Sequence, residues 1–436
     1  MRKDKLAIVA LFLLALGGVV AVRCLKSDGT PPAGPPQKPV ASDEYRGISL
    51  QLHSAHPRNP YEDYVEEIAR TGANTINLVV HAYQENGTSN MITMRKDRGP
   101  NDERLRGIIR QARHRGLRVM IMPVVLLDKP TEDEWRGVIK PSNWDSWWED
   151  YNTFVIHYAR LAQETGVETF AVGSELLSTE DQVARWTRLI AQIRRIFKGR
   201  LTYSSNWDNY RKVAWWDKLD LIGMTTYYDL VGDKEPTLDV MLKTWARVRN
   251  EILTWRNAKY PSHQILFTEV GWPDIVTAAK YPWDYYRSKE ESPELQAMCF
   301  RSFFQTWSDQ DAVAGYLVWE WRNHPNHHKE RSYVPYGREP TMKVIQEYFA
   351  KPPRAGQQAA TAPATMPRRL SPPTGHPTAD GAAATRPPRP APAATSPAPA
   401  HDAPAQTDPP ADDTESGDDE MMTDSPALPA QDQPEN

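Results

Sequence analysis

Two glutamates stand at the ends of apolar, strand-like segments. Glu175 closes the apolar run of TFAVGSELLSTE, and Glu269 closes that of ILFTEVGWP, which turns at once through glycine and proline. Two carboxyl groups that share a cavity can cleave a glycosidic bond: one protonates the leaving oxygen, and the other attacks the anomeric carbon or activates water. A lone glutamate at a strand end more often forms a salt bridge or caps a helix. The chemistry therefore depends on whether one fold brings both glutamates together.

Polar and aromatic residues end several other apolar segments of the chain. His53 and His81, for example, close the first two of these segments. Hydrogen-bonding side chains combined with flat aromatic faces are what a sugar-binding site needs. Because side chains alternate along a strand, Trp319 and Trp321 are expected to share one face. We predict substrate binding by His81, Asn206, Trp207, Tyr227 (or its neighbour Tyr228), Trp272, Trp319 and Trp321.

Short apolar segments alternate with longer segments of helical periodicity between residues 44 and 351. Eight strand-then-helix units of this length predict an α/β protein built as a (β/α)8 TIM barrel. An open, doubly wound sheet is the competing architecture, but it would need an early glycine-rich phosphate-binding turn, and the sequence has none. The eight strand-like segments are GISLQLH, TINLVVHAY, RVMIMPVVLL, TFAVGSEL, LTYSSNW, LIGMTTYY, ILFTEVGW and AGYLVWEW.

Amphipathic segments follow most of these strands. YEDYVEEIARTG begins with acidic residues and ends with arginine and glycine, which is typical helix start and stop chemistry. The unit after the fifth strand, RKVAWWDKLD, is short for a helix. Active sites of such barrels lie at the carboxyl ends of the strands. Because Glu175 and Glu269 end strands four and seven, on opposite arcs of the ring, we expect them to approach each other across the barrel mouth.

The composition is that of a large, aromatic-rich protein with little net charge. The chain has 436 residues, a formal charge of −4, 15 tryptophans and 18 tyrosines. The near-neutral charge argues against nucleic acid as a partner, since nucleic-acid-binding proteins usually present a basic face. The many aromatic residues either fill a core or offer flat surfaces to a ligand. The two cysteines, Cys24 and Cys299, give no disulfide framework.

The two ends of the chain differ in composition from the predicted barrel of residues 44–351. Residues 1–26 combine a basic start with a long apolar stretch, which predicts a membrane signal anchor or a cleaved signal peptide. Residues 27–43 are polar and proline-rich, as in a linker. Residues 352–436 are rich in proline and alanine and end in acidic residues, which predicts a disordered tail. The basic start places the barrel on the extracytoplasmic side, either membrane-anchored or secreted.

Six segments of the predicted barrel are similar to those of a known family. They are VGSE with Glu175, TEVGW with Glu269, WRGVIKPSNWDSWW, YSSNW, WWDKLDLIGMTTYY and LVWEW. On these segments the stretch from about residue 46 to residue 351 resembles clan A glycoside hydrolases, and within them glycoside hydrolase family 113.

The resemblance implies a retaining glycosidase in which Glu175 is the acid/base and Glu269 is the nucleophile. It also implies that Tyr227 orients or relays to the nucleophile, with Tyr228 as the alternative. Trp319 would form the floor under the sugar at the cleavage point. The activity known for the family is on β-1,4-linked mannans.

One residue departs from the pattern of the wider clan. Many clan members have asparagine directly before the acid/base, where it binds the sugar 2-hydroxyl, whereas this chain has Ser174. The family that the chain resembles also has a small hydroxyl residue there, and an altered contact fits a sugar such as mannose. The anchor and the tail are unlike those of a secreted plant-wall degrader. The predicted substrate is therefore a β-linked polysaccharide, either mannan-like or a bacterial surface or matrix glycan.

Other functions fit parts of the same pattern. A carbohydrate-binding barrel without catalysis would often lose one glutamate, and a structural wall protein would have no aromatic pocket around the pair. A transglycosylase shares the first half-reaction, so the sequence leaves it open. The loop NHPNHHKE places His327 and His328 side by side, which is not a common metal-ligand spacing. We therefore predict no metal and no cofactor.

Overall fold

The computed structural model describes residues 43–131, 134–327 and 332–352 together with residue 354. In this part of the chain eight parallel strands close into a barrel, in which the last strand pairs with the first. The predicted (β/α)8 TIM barrel is confirmed. The predicted membrane segment lies outside the described residues, as does nearly all of the predicted linker and tail. Within the described residues, the helices are too short or too polar to cross a bilayer.

The eight strands are buried because helices cover the outside of the barrel and side chains fill its inside. Six of the eight predicted segments continue two or three residues beyond the observed strand ends. The strands are β1 (Tyr45–Gln51), β2 (Thr75–Gln84), β3 (Arg118–Leu127), β4 (Thr169–Ser174), β5 (Arg200–Ser205), β6 (Leu221–Thr225), β7 (Gln264–Val270) and β8 (Val313–Val318).

Amphipathic helices with local capping groups surround the barrel. Asn143 begins the third of them by accepting hydrogen bonds from two backbone N–H groups of the first turn, and Gly166 ends it with φ of 72°, a conformation that favours glycine. The α-helices of the described residues are α1 (Tyr61–Arg70), α2 (Asp102–His114), α3 (Trp144–Thr165), α4 (Val183–Ile196), α5 (Leu238–Lys259), α6 (Pro293–Trp307) and α7 (Glu339–Phe349).

The connection between β5 and β6 contains no α-helix, which corrects the expectation of a helix in every unit. RKVAWWDKLD instead folds into turns and one short 3₁₀ helix, Trp216–Lys218. Trp215 and Trp216 are buried here, and their indole N–H groups donate to backbone carbonyls. Packing of two large side chains against the barrel takes the place of an amphipathic helix.

Two apolar layers hold the barrel together. The larger layer lies between strands and helices and contains most of the fully buried tryptophans, such as Trp147, Trp186 and Trp245. The smaller layer fills the inside of the barrel, where Met120 and Leu266 lie, and it reaches aromatic residues at the carboxyl ends of the strands. Most of the tryptophans therefore have a packing role, and a minority lie near the barrel mouth.

Candidate active site

Glu175 lies directly after β4 in an uncommon backbone conformation. Its φ is 51°, and it is the one residue other than glycine with positive φ in the described chain. Its N–H group donates to the carbonyl oxygen of Ser204 at 2.8 Å, and the N–H group of Leu176 donates to the hydroxyl of Tyr203 at the same distance. These bonds to β5 fix a conformation that a side chain rarely adopts without a compensating constraint.

Another buried glutamate, Glu180, supports this turn through hydrogen bonds. The hydroxyl of Tyr203 donates to Glu180 Oε1 at 2.9 Å, and the Asn209 side-chain amide donates to Glu180 Oε2. Burial raises the pKa of Glu180 to about 8. Glu180 is therefore connected through Tyr203 to the backbone next to Glu175.

Glu269 lies inside β7 and is held by a neighbouring phenol. The hydroxyl of Tyr227 donates to Glu269 Oε2 at 2.9 Å. The next tyrosine, Tyr228, points elsewhere and donates to the carbonyl oxygen of Trp207 at 2.8 Å. Of the two alternatives left open by the sequence, the geometry thus places Tyr227 on the carboxylate. Glu269 Oε1 is buried and has no hydrogen-bond partner among the described residues.

An arginine that the sequence analysis assigned no role joins the two glutamates. The guanidinium of Arg136 forms an ion pair with Glu175 Oε2, and its charge also acts on Glu269. Arg136 begins a short 3₁₀ helix in the segment WRGVIKPSNWDSWW, and its side chain is 14% exposed. A buried cation beside two carboxyl groups lowers the cost of holding negative charge there.

The two carboxyl groups titrate as a pair. Burial, followed by the charge of Glu175, raises the pKa of Glu269 to about 8, while Arg136 and the hydroxyl of Tyr227 oppose this rise. Burial also raises the pKa of Glu175, and Arg136 opposes it. Since two neighbouring buried carboxyl groups resist ionising together, the pair retains one proton near neutral pH. One acid and one carboxylate are what glycosidic cleavage requires.

Aromatic rings surround this pair at the barrel mouth. Tyr227, Trp319 and Tyr333 belong to the apolar layer inside the barrel, and Trp207 packs against it. The indole planes of Trp207 and Trp283 are nearly parallel, with 12° between them and 6.5 Å between ring centroids. Sugar rings bind well to such flat apolar faces, so the predicted Trp207 and Trp319 lie where a saccharide could stack.

The remaining polar candidates also lie inside the barrel. Asn206 is 2% exposed and donates to Asp208 Oδ1 at 2.8 Å. The ring of His81 stacks on that of His53 with 4.1 Å between centroids. The hydroxyl oxygen of Ser174 is buried without a hydrogen-bond partner among the described residues. A buried polar group without a partner is common where a ligand binds.

Trp272 and Trp321 are not at the barrel mouth, which corrects their prediction as sugar-binding residues. Trp272 is fully buried in the outer layer, where it packs on Trp245 and Phe300. Trp321 is 1% exposed, and its indole N–H donates to Glu67 of α1 at 3.0 Å. The chain leaves the regular strands at Val270 and Val318, so strand alternation no longer determines where these two side chains point.

The histidine-rich loop after β8 is described only in part. The ring of His327 stacks on that of His324 with 5.0 Å between centroids, and His328 lies outside the described residues. Within the described residues no three histidine, cysteine, aspartate or glutamate side chains are grouped to hold a metal ion.

Eight parallel strands with two interacting, buried glutamates at the carboxyl ends of β4 and β7 define a retaining glycoside hydrolase of clan A. A family model described as Glycoside Hydrolase Family 113 matches residues 54–338, and the chain belongs to this family. The resemblance drawn from the sequence segments is thereby confirmed.

Among the solved structures that share the fold of this chain are three GH113 β-mannanases. One, a GH113 β-1,4-mannanase in a complex, is 23% identical with a TM-score of 0.62, covering 70% of this chain and 98% of that chain. The GH113 β-mannanase AaManA from Alicyclobacillus acidocaldarius, in complex with ManMIm, is 24% identical with a TM-score of 0.62. The match covers 70% of this chain and 97% of that chain. Another GH113 β-1,4-mannanase is 24% identical with a TM-score of 0.61, and the match covers 70% of this chain and 98% of that chain. A comparison with curated proteins finds no match.

Proposed function

We propose that this protein hydrolyses a β-linked polysaccharide with Glu269 as the nucleophile and Glu175 as the acid/base. The observation that carries the proposal is that one buried site holds two interacting glutamates, which share a single proton and can therefore act as a carboxylate and an acid. The hydroxyl of Tyr227 supports a negative charge on Glu269, while the mutual repulsion of the glutamates keeps one proton on the pair.

In the first step Glu269 attacks the anomeric carbon and forms a glycosyl ester, while Glu175 gives its proton to the departing sugar oxygen. The hydrogen bond from Tyr227 holds the attacking carboxylate in one orientation before the bond forms. Trp319, which is 6% exposed at the mouth, supplies an apolar face for the sugar being cleaved.

In the second step the protonation preference of Glu175 reverses. Once Glu269 is an ester it carries no charge and no longer repels a charge on Glu175, and Arg136 then favours the ionised form of Glu175. The Glu175 carboxylate accepts a proton from water as the water oxygen attacks the anomeric carbon. The bond between that carbon and Glu269 breaks, which releases the sugar and restores the Glu269 carboxylate. Two displacements at one centre return the original configuration.

A mannan-like glycan is the substrate that fits best, and a bacterial surface or matrix glycan is the other one. Two solved structures with the same fold are named as β-1,4-mannanases and a third as a β-mannanase. Ser174, with its unpaired buried hydroxyl, stands where many clan members have asparagine for the 2-hydroxyl. A short side chain leaves more room there, as the axial 2-hydroxyl of mannose would require.

We propose further that the barrel acts outside the cytoplasmic membrane. The basic, apolar composition of residues 1–26 supports this location. Protease added to intact bacteria that express the full chain should digest the barrel if it lies outside. Protection of the barrel until the cells are lysed would contradict the location.

Hydrolysis of a glycan panel tests the function. The full chain is incubated with β-1,4-mannan, β-1,4-glucan, β-1,4-xylan and bacterial exopolysaccharides, and new reducing ends are measured. We expect turnover of at least one β-linked glycan, and a Glu269→Gln control at background. Equal release by both proteins would contradict the assignment. Products longer than the substrate, formed with an added acceptor sugar, would indicate transglycosylation in place of hydrolysis.

A further inference from the structure

A third buried glutamate lies beside the catalytic pair. Glu320 follows Trp319 in the segment that leaves β8, and its residue is 5% exposed. The N–H group of Trp319 donates to the carbonyl oxygen of Val270 at 2.9 Å, and that of Trp321 donates to Ser49 at 2.8 Å. Glu320 is thus fixed from both sides, between the ends of β7 and β1.

The Glu320 carboxylate belongs to a chain of polar side chains that we call the polar wall: Gln51, His53, His81 and Glu320. The Gln51 amide N–H donates to Glu320 Oε2 at 2.5 Å. Gln51 Oε1 accepts from His53 Nε2 at 3.0 Å and from His81 Nε2 at 3.3 Å. Because the amide nitrogen faces the carboxylate, its oxygen faces the histidines, and both rings carry their proton on Nε2.

The polar wall holds the Glu320 carboxyl group in place without a cation. In the described part of the chain no arginine or lysine pairs with it, and Gln51 is its one hydrogen-bond donor. Burial raises the pKa of Glu320 to about 8, and the hydrogen bond from Gln51 opposes this rise. The two histidines are neutral, since burial lowers the pKa of His53 to about 4 and that of His81 well below its usual value. A buried carboxylate accepts several hydrogen bonds, so one donor leaves most of this capacity unused.

The position of Glu320 links it to the sugar site. Glu320 lies near enough to Glu269 and Tyr333 for its ionised form to raise the pKa of both. Its hydrogen bond to Gln51 places its carboxyl group beside the end of β1. Trp319, its neighbour in sequence, belongs to the aromatic layer at this mouth. A glycan that stacks there would bring hydroxyl groups to the free acceptor sites of Glu320.

We propose that Glu320 is a specificity-determining residue, which accepts hydrogen bonds from hydroxyl groups of the sugar bound against Trp319. The polar wall orients the carboxylate before the sugar arrives, so little ordering is needed on binding. This inference rests on the proposed hydrolysis. It adds that the sugar at this position is a neutral one, because a buried carboxyl group with no cation beside it offers the carboxylate of a uronic acid no favourable partner.

The direct test is whether the effect of replacing Glu320 on kcat/KM depends on the presence of one particular sugar hydroxyl. We compare kcat/KM of the wild-type chain and Glu320→Gln on aryl β-mannosides that lack the 3-, 4- or 6-hydroxyl, each against the complete sugar. Leaving the contacted hydroxyl without its buried acceptor predicts a fall of about 10- to 100-fold for the variant on the complete sugar. For the deoxy sugar that lacks the contacted hydroxyl, the two proteins should differ by less than about threefold.

Glu44→Gln is the matched control. Glu44 is also buried, at 1% exposure, but it pairs with Arg46 at the opposite end of the barrel. This control can lower stability, which thermal unfolding measures, without changing kcat/KM. If Glu320→Gln does not fold, Glu320→Asp keeps the carboxyl group while withdrawing it by one methylene, and it should show the same loss of coupling.

The outcomes separate this inference from the function on which it rests. A wild-type enzyme that is active, with a variant equally active on every sugar, would overturn the role of Glu320 alone. A variant whose kcat/KM falls by the same factor on every sugar would show a structural role for Glu320, and this result would also overturn the proposed specificity role. A wild-type chain that turns over no glycoside at all would overturn the proposed function, and the role of Glu320 with it.

Discussion

Replacing Tyr227 with phenylalanine should shift the pH dependence of catalysis by a predictable amount. The hydroxyl of Tyr227 donates to Glu269 at 2.9 Å, and both groups are buried. Hydrogen bonds to charged groups contribute about 1.5–3 kcal/mol, and one pKa unit corresponds to about 1.4 kcal/mol. Tyr227→Phe should therefore raise the pKa of Glu269 by about one to two units. Because the nucleophile must be ionised, the acidic limb of kcat/KM should move to higher pH by that amount.

The assay is the pH profile of kcat/KM on an aryl glycoside with a good leaving group, which depends little on acid assistance. Tyr228→Phe is the control, since its hydroxyl bonds to the backbone of Trp207 and its loss should leave the acidic limb in place. The apparent values belong to the coupled pair, so the comparison rests on the shift between proteins. An unmoved limb in Tyr227→Phe, or equal shifts in both variants, would refute the reasoning.

Two further substitutions test other parts of the site. Glu175→Gln should slow hydrolysis of glycans by about 10²–10⁴-fold, since unaided departure of a sugar alcohol is slow, yet should barely affect the first step on an activated aryl glycoside. Steady-state rates on natural substrates and burst rates on aryl ones would show this, and equal losses on both would remove Glu175 from the acid/base role. The pKa of Glu180 is raised to about 8 in the folded protein, so the folded protein holds this proton more tightly than the unfolded chain does. The stability of the wild type therefore falls as pH rises from about 4.5 to 8. The melting temperature of Glu180→Gln relative to the wild type should therefore rise between pH 5 and pH 8, and the opposite trend would mean that Tyr203 and Asn209 hold Glu180 ionised.

The barrel was predictable because its periodicity is local. Each apolar run followed by an amphipathic segment indicates one β/α unit, and eight units allow few architectures. The exception is the unit after β5, where Trp215 and Trp216 pack without a helix. Strand ends were predicted less well, since aromatic residues continue past them into buried loops. Trp272 and Trp321 were predicted at the mouth for that reason, although they pack outside the barrel.

The residues that the sequence analysis missed act through long-range contacts. Arg136 reaches Glu175 from a loop 39 positions earlier, and no local pattern marks it. Glu320 does carry a signal, because it is a third carboxyl group near a strand end. Strand alternation places it opposite Trp319 and therefore away from the site, but β8 has already ended at Val318. Irregular backbone beyond strand ends decides such positions, and it follows from tertiary packing.

The central claim is that Glu269 becomes covalently attached to the sugar. A 2-deoxy-2-fluoro mannosyl fluoride slows both steps but keeps a good leaving group, so the ester should accumulate when the full chain is incubated with it. Proteolysis and mass spectrometry would then find the fluorosugar on the peptide that contains Glu269, and Glu269→Gln would remain unlabelled. A label on Glu175, or rapid turnover to a product of inverted anomeric configuration without any label, would contradict the account.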